Sequence, residues 1–239
     1  MKTFAARRLL LISTSTTYGT GYLDHAADEI RDFLGSLSAV LFVPFALKDV
    51  DGYAARARER FAALGYGLQS LHESASPAEA VAAAQAVFIG GGNTFRLLSA
   101  LYRLQVMDGI RQRVSEGMPY IGSSAGSNVA CPTIRTTNDM PIVQPPSLEA
   151  LGLVAFQINP HYVDPEPGST HMGETREQRL REFHEENATP VVGLREGAML
   201  RVEGASVLLT GTRGARVIRC GLDPVEVAPG AALAALVEA

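Results

Sequence analysis

Short runs of consecutive apolar residues, without polar alternation, most constrain how this 239-residue chain can fold. Residues 40–43 and 87–89 are such runs, and segments with helical spacing lie between runs of this kind. A strand that is covered on both faces has this pattern, because neither face meets water. The alternation of such strands with helices predicts a doubly wound, mostly parallel α/β sheet with helices on both faces.

Seven runs are predicted to be strands of this sheet. They cover residues 9–13, 39–43, 66–71, 86–89, 120–122, 155–158 and 191–194. Helices are expected over residues 23–34, from a start at Ser76 and after Asn93. At Ser76 a capping serine is followed by a proline and, three residues later, by a glutamate, which is a typical helix start.

The C-terminal part of the chain has a different pattern. Four short β-rich segments, separated by turns that contain glycine, cover residues 198–202, 206–210, 215–219 and 224–227. They predict an antiparallel β appendage on the main sheet, within one α/β domain over residues 1–239. Two long segments without clear period, 131–146 and 162–173, are expected to be loops with a functional role.

Charge and cysteine content exclude several classes of protein. The formal net charge of −4 and the pI of about 5.8 argue against recruitment to nucleic acid or to a membrane surface. Two distant cysteines, Cys131 and Cys220, exclude a disulfide scaffold and favour the reducing cytoplasm. No apolar run reaches the length of a membrane span, roughly 18 residues. With no paired-cysteine or His-Glu-x-x-His motif, we expect neither a metal nor a cofactor.

A Gly-x-Ser-x-Gly pattern runs from Gly122 to Gly126, directly after an apolar strand and before a predicted helix. Small residues at these positions permit a sharp turn that exposes the hydroxyl of Ser124 and brings the Ala125 amide close to it. Ser124 is preferred to Ser123 as the nucleophile because it is central in the pattern. The alternative is a glycine-rich turn whose serines only cap the next helix.

A catalytic serine needs a base, and His161 is the best placed of the five histidines. It follows a predicted strand, and the carboxyl ends of parallel strands share the sheet edge where Ser124 is expected. The alternative for His161 is a structural role. The remaining histidines lie in predicted helices, loops or a charged, solvated segment, and they are His25, His72, His171 and His184.

The third member of such a site is a carboxylate that orients the imidazole. Glu196 follows the predicted strand 191–194 and is preferred for that position, with Asp139 as the runner-up and Asp164 as a further candidate. The chain order of nucleophile, base and acid differs from the α/β-hydrolase order of nucleophile, acid and base. This difference argues against an ordinary esterase or lipase.

A second glycine-rich loop, residues 90–94, also ends a strand and opens a helix. Consecutive glycines let the amides of Gly91 and Gly92 approach a ligand closely, so they are candidates for a second oxyanion donor. The neighbouring Asn93 is a candidate substrate contact. A phosphate loop or a plain tight turn is the alternative, but the Gly-Lys-Ser/Thr ending of a nucleotide loop is missing.

Several of these segments resemble the peptidase E family, the α-aspartyl dipeptidases of the serine peptidase group that also contains cyanophycinase. The matching motifs are Gly-Gly-Gly-Asn-Thr-Phe at 90–95, Gly-x-Ser-Ala-Gly at 122–126, Cys-Pro-Thr-Ile-Arg-Thr-Thr-Asn-Asp-Met-Pro-Ile at 131–142, Asn-Pro-His at 159–161 and Gly-Glu-Thr-Arg-Glu-Gln-Arg at 173–179. The resemblance extends from the first strand to about Gly197. It implies a fold similar to class I glutamine amidotransferases and cofactor-free hydrolysis of small peptides with an N-terminal aspartate. A homodimer is the candidate assembly.

The resemblance also implies roles for individual residues. The nucleophile, base and orienting carboxylate of the family fall on Ser124, His161 and Glu196. For a substrate with a β-carboxylate, Arg176 is the preferred cation and Glu174 would receive the α-ammonium group. The alternative for Arg176 is a surface salt bridge on a helix over residues 174–186.

Two positions depart from the family pattern. Ser123 stands where relatives often carry tryptophan, and Ser127 replaces a common alanine; both are expected to line the pocket. Three alternatives to an aspartyl dipeptidase therefore stay open: a cyanophycinase-like hydrolase of aspartyl polymers, a hydrolase that acts on other bonds, and a non-catalytic binding module on the same fold.

Overall fold

The computed structural model describes residues 7–165, 168, 170 and 172–237. The strands in these ranges are β1 (Arg8–Ile12), β2 (Ala39–Val43), β3 (Gly67–Ser70), β4 (Val87–Ile89), β5 (Tyr120–Ser123), β6 (Gln157–Pro160), β7 (Val191–Leu194), β8 (Ala198–Glu203), β9 (Ser206–Gly211), β10 (Ala215–Ile218) and β11 (Val225–Val227). The helices are α1 (Ala27–Leu34), α2 (Val50–Leu64), α3 (Pro77–Ala83), α4 (Thr94–Arg103), α5 (Met107–Ser115), α6 (Ala125–Val129), α7 (Arg176–Glu186) and α8 (Ala234–Val237).

The larger sheet has seven strands in the order β3-β2-β4-β5-β1-β8-β9. The five strands from β3 to β1 run parallel to their neighbours, and β8 and β9 continue the sheet in antiparallel fashion. Because helices join the parallel strands β1 to β5 as they follow one another along the chain, the doubly wound α/β prediction is confirmed. All the predicted strands are present, with shifts of one or two residues at their ends.

A second sheet of four strands, in the order β11-β10-β7-β6, contains the remaining strands of the described residues. Strands β6 and β7 are parallel, and β10 and β11 pair in antiparallel fashion. The C-terminal antiparallel strands are confirmed, but only β8 and β9 extend the main sheet. The predicted membership of the main sheet is wrong for β6 and β7 as well as for β10 and β11. An apolar run indicates a buried strand, whereas its neighbours depend on long-range packing that the run itself does not encode.

Helices cover both faces of the larger sheet. Leu10 and Ile12 of β1 belong to one core cluster, with residues of α1 and α2, while Leu9 and Leu11 belong to the other, with residues of α3 to α6. All four side chains are fully buried. Burying an aliphatic side chain of this size contributes about 1.5–3 kcal/mol. In the described ranges no helix is long and apolar enough to cross a membrane.

The helix starts agree with the sequence in position and differ in detail. Ser76 is the N-cap of α3, as predicted, but its side chain makes no capping hydrogen bond. Asn93 caps α4, and its side chain accepts a hydrogen bond from the Arg96 amide. The helix predicted over 23–34 is a turn of 3-10 helix at Asp24–Ala26 followed by α1.

Candidate active site

Ser124 lies in a sharp turn between β5 and α6, with a positive φ of 52° that is rare for residues other than glycine. Its amide donates to the Ile12 carbonyl at the end of β1, at 2.9 Å. A Cβ at Gly122 would lie 2.6 Å from the Gly126 backbone, and a Cβ at Gly126 would overlap the Ile89 carbonyl. Both glycines are therefore required for the turn that exposes the serine.

His161 and Glu196 continue from this serine in one hydrogen-bonded line. His161 Nε2 lies 2.9 Å from Ser124 Oγ, and His161 Nδ1 lies 2.7 Å from Glu196 Oε1. With the ring proton on Nδ1 facing the carboxylate, Nε2 is free to accept the Ser124 hydroxyl proton. The side chains of His161 and Glu196 are 36% and 52% exposed, so the line is open to a substrate.

The other histidines that the structure describes do not bond to Ser124 or Glu196. His72 bonds to Ser70 and Asp51, and His184 bonds to two backbone carbonyls, so the prediction of a solvated position for His184 is wrong. Both ring nitrogens of His25 are buried, and burial lowers the pKa of this ring, while a bond to the Thr14 backbone and the nearby Glu196 charge act to raise it. His171 lies outside the described residues.

Of the three carboxylates considered for the third position, Glu196 is the one that bonds to His161. The Asp139 carboxylate accepts from the amide and hydroxyl of Thr94, at 2.7 and 2.6 Å, and so holds the start of α4. Asp164 pairs instead with Arg195, which directly precedes Glu196. The expectation drawn from strand ends therefore agrees with the geometry, although β5 belongs to one sheet and β6 and β7 to the other.

The glycine loop lies directly against the serine. A Cβ at Gly91 would lie only 3.0 Å from Ser124 Cβ, and one at Gly92 would lie 2.6 Å from a backbone carbonyl. In the described part of the chain the amides of Gly91, Gly92 and Ala125 donate to no backbone carbonyl. The buried Tyr53 hydroxyl comes close to the Gly91 amide. All three amides stay candidates for oxyanion donors, Gly92 and Ala125 being the freer ones.

The side chain of Asn93 is occupied on both sides. Its oxygen accepts from the Arg96 amide at 3.0 Å, and its nitrogen donates to the Met140 carbonyl at 2.9 Å. The bond to Met140 fastens the glycine loop to the segment around residue 140, and the bond from Arg96 caps α4. A substrate contact through this side chain would break one of them, so Asn93 is better suited to shaping the loop.

The proposed recognition residues stand at the start of α7. Arg176 is its first residue, is partly buried and, among the described residues, has no hydrogen bond or ion pair, so the alternative of a helix salt bridge is not found. Partial burial lowers its pKa, as does the nearby Arg179 charge. Glu174 precedes the helix and pairs with Arg179 at 3.3 Å. No hydrogen bond joins Arg176 or Glu174 to Ser124.

The prediction that Ser123 and Ser127 line the pocket is wrong. Both are fully buried. Ser123 Oγ points into the protein without a hydrogen-bond partner in the described ranges, whereas Ser127 Oγ lies 2.8 Å from the Ile12 carbonyl and 2.9 Å from the Gly122 carbonyl. Ser127 therefore stabilises the turn that carries the nucleophile.

An open cavity of about 750 Å³ lies beside Glu196. Its volume is within the range of small-molecule sites, about 300–1,000 Å³. Aromatic, aliphatic, hydroxyl, acidic and cationic side chains line it, including Tyr18, Val163, Thr212, Asp164 and Arg213. The positive charge of Arg213 acts on the Asp164 carboxylate, although no direct hydrogen bond or ion pair of Arg213 is found in the ranges that the structure describes. The cavity thus offers room for a dipeptide and a cation that no direct bond holds.

Sequence reasoning missed two residues that contact this site from behind. Arg195 and Ser13 both bond to the segments that carry His161 and Glu196. Ser13 is detectable in principle, since it is the polar residue that ends the apolar run of β1 at the carboxyl edge of the sheet. Arg195 carries no such signal, because its partners are 31 residues away on either side.

Comparison with known proteins matches most of the chain to one protein family. A family model described as Peptidase family S51 matches residues 9–210. Peptidase E from Streptomyces coelicolor is 56% identical over 230 residues, which cover 96% of this chain and 95% of that protein. A probable alpha-aspartyl dipeptidase from Drosophila melanogaster is 48% identical over 237 residues, with 98% and 99% covered.

A solved structure shows the same fold. The crystal structure of a putative Peptidase E protein from Listeria monocytogenes EGD-e superimposes with a TM-score of 0.67. It covers 87% of this chain and 99% of that chain at 22% sequence identity. The overall fold is therefore shared with this structure.

Proposed function

This chain belongs to peptidase family S51 and is a serine-type dipeptidase, and we propose that it hydrolyses dipeptides with an N-terminal aspartate. The observation that carries the proposal is the continuous line of hydrogen bonds from Ser124 through His161 to Glu196. The substrate class is supported by the alpha-aspartyl dipeptidase name of a relative that matches nearly the whole chain.

In this proposal Ser124 Oγ attacks the carbonyl carbon of the peptide bond while His161 Nε2 takes the hydroxyl proton. The same nitrogen then returns the proton to the leaving amine, and the aspartyl group stays on Ser124 as an ester. Water, activated by His161, hydrolyses that ester and restores the serine. Glu196 stabilises the imidazolium that forms in each step and keeps the ring in the required tautomer.

The negative charge on the carbonyl oxygen needs donors that are already in place. The Ala125 amide, at the start of α6, and the amides of Gly91 and Gly92 are our candidates. One donor of this kind typically contributes about 3 kcal/mol to transition-state stabilisation, because it is oriented before the charge develops. The close approach of Gly91 to Ser124 supports this assignment.

Selection of aspartate needs a cation for the β-carboxylate and an acceptor for the α-ammonium group. Arg176 is the proposed cation, since its planar guanidinium matches a carboxylate and its charge is unpaired in the described part of the protein. Glu174 is the proposed acceptor, and it would exchange its ion pair with Arg179 for the substrate amine. Arg213, in the cavity beside Glu196, is placed to attract the free carboxylate of the second residue.

We further propose that the enzyme acts in the cytoplasm. Cys131 is buried and Cys220 exposed, and both are free thiols. Burial raises the pKa of the Cys131 thiol, which keeps it protonated and unreactive. Free thiols are typical of a reducing compartment.

A panel of dipeptides that share leucine at the second position and vary in the first tests the proposed substrate class. We expect hydrolysis of Asp-Leu and little turnover of Asn-Leu, Glu-Leu or Ala-Leu. Cleavage of an aspartyl polymer without cleavage of Asp-Leu would favour the cyanophycinase-like alternative. Turnover of a p-nitrophenyl ester alone would favour a hydrolase of another class. A Ser124 that no serine-directed reagent labels would favour a binding module.

A further inference from the structure

The hydroxyl of Ser13 joins two of the three segments that form the active site. Ser13 directly follows β1 and is fully buried. Its Oγ donates to the Leu194 carbonyl at 2.7 Å and accepts from the His161 amide at 3.0 Å. Leu194 is two residues before Glu196, so one hydroxyl bonds both to the backbone of the base and to the strand that leads to its carboxylate partner.

We propose that Ser13 is a positioning residue for the hydrolysis described above, holding His161 and Glu196 in register with Ser124. The kinetic test of this inference rests on the proposed function, whereas its NMR test rests on the geometry alone. Ser13 does not touch the substrate. It acts through the backbone of His161.

The backbone of His161 explains why such a residue is needed. His161 has a φ of +53°, in the left-handed region that residues other than glycine rarely adopt. A conformation of this kind persists only where surrounding contacts hold it. The bond from the His161 amide to Ser13 Oγ and the bond from the Tyr162 amide to the Leu194 carbonyl, at 3.1 Å, are those contacts.

The same strand end also holds the nucleophile. The Ile12 carbonyl accepts from the Ser124 amide at 2.9 Å and from Ser127 Oγ at 2.8 Å. The Ser13 amide donates to the Ala198 carbonyl, two residues beyond Glu196, at 3.1 Å. Ile12 and Ser13 together therefore bond to the backbone beside every member of the line, although these members come from two different sheets.

A matched pair of variants isolates the hydroxyl from packing. Ser13→Thr keeps the hydroxyl and adds a methyl group, whereas Ser13→Val has nearly the same shape without the hydroxyl. Both bring the same added bulk into a buried position. We expect Ser13→Val to have a kcat on Asp-Leu about 10- to 100-fold below that of Ser13→Thr, with KM within twofold, because small displacements of reacting groups cost rate.

Ser13→Ala provides a second test if the larger side chains do not fit. It should fold, lose kcat by a similar factor and keep its KM. Ser70→Ala is the control, since Ser70 is also a buried serine at the end of a strand, β3, and is bonded to His72 rather than to the active site. We expect this control to keep the kcat of the unmodified protein.

A proton NMR measurement separates this inference from the proposed function. The proton between His161 Nδ1 and Glu196 should give a low-field resonance in the unmodified protein without substrate. We expect that resonance to move upfield or broaden in Ser13→Ala and to be unchanged in Ser70→Ala. Failure of Asp-Leu turnover in the unmodified protein would overturn the substrate proposal and leave this readout intact. Equal kcat in the threonine and valine variants, or an unchanged resonance in Ser13→Ala, would overturn the role of Ser13.

Discussion

Arg195 forms a two-pronged ion pair with Asp164, each contact at 2.7 Å. Asp164 lies three residues after His161, and Arg195 directly precedes Glu196, so this pair ties together the two loops that carry the base and its carboxylate. The Arg195 guanidinium also lies 5.6 Å from the centre of the Tyr162 ring and bonds to Glu226 of β11. The active-site loops are thereby anchored to the second sheet.

This pair predicts a dependence of stability on pH. Hydrogen bonding to Arg195 holds the pKa of the Asp164 carboxyl below its ordinary value. A carboxylate whose pKa is lowered by folding stabilises the protein above its unfolded pKa, and that contribution is lost as the pH falls through the folded pKa. We therefore expect Asp164→Asn to lower the Tm at pH 7 and to lose that effect in acid, as thermal unfolding across the pH range would measure.

The control for this prediction is Asp28→Asn. Asp28 pairs with Arg31 on the surface of α1 and is almost fully exposed, so its removal should change the Tm little at any pH. An Asp164 variant with the same Tm difference at pH 7 and in acid would contradict the role of its charge.

The carboxylate at position 196 should matter through its charge. Glu196→Gln retains the size of the side chain but no longer stabilises an imidazolium or selects its tautomer. We expect kcat to fall by on the order of 10²–10⁴ with little change in KM. Steady-state kinetics on Asp-Leu measure both quantities.

Asp139→Asn is the matched comparison for Glu196. Because Asp139 bonds to the amide and hydroxyl of Thr94, its loss should weaken the start of α4 by about 1 kcal/mol and leave most of kcat. A silent Glu196→Gln variant together with an inactive Asp139→Asn variant would transfer the orienting role to Asp139.

Selectivity for aspartate should depend on Arg176. Binding of Asn-Leu would leave this cation without a charged partner, and unpaired groups of this kind permit a discrimination on the order of 10⁴. Arg176→Ala should raise KM for Asp-Leu and narrow the gap between Asp-Leu and Asn-Leu. Arg176→Lys should recover little, since a single ammonium cannot make the two-pronged contact.

Arg181→Ala is the control on the same helix, because Arg181 pairs with Glu177 at 2.8 Å and should not affect selectivity. If the ratio of activities on Asp-Leu and Asn-Leu were the same in Arg176→Ala as in the unmodified protein, another cation would recognise the carboxylate. Arg135, Arg179 and Arg213 would be the next residues to replace.

The strands and the three hydrogen-bonded side chains could be predicted from sequence because both depend on residues that are close together in the chain. Apolar runs mark the buried strands, and functional residues of α/β sheets follow strand ends. Ser124 and His161 directly follow the ends of β5 and β6, and Glu196 lies two residues after the end of β7. These three side chains come together although β5 belongs to one sheet and β6 and β7 belong to the other.

The membership of the two sheets and the supporting contacts could not be predicted in the same way. Whether β10 pairs with β9 or with β7 depends on packing between distant segments, and the apolar pattern of each strand is compatible with either neighbour. Similarly, Asp164 looks like a free carboxylate next to His161 until Arg195 is placed beside it. Ser123 and Ser127 were expected to line the pocket because they depart from the family pattern beside the nucleophile, yet the tight turn leaves both side chains fully buried.

Ser124 is proposed as the nucleophile of a peptidase that releases N-terminal aspartate. One kinetic comparison tests this role most directly. The kcat for Asp-Leu is compared between Ser124→Ala and Ser123→Ala, with the Tm of each variant measured alongside. We predict that Ser124→Ala folds normally and loses kcat by about 10⁴-fold or more, while Ser123→Ala retains most of its activity. A folded Ser124→Ala variant that still hydrolyses Asp-Leu at a rate near that of the unmodified protein would contradict the claim.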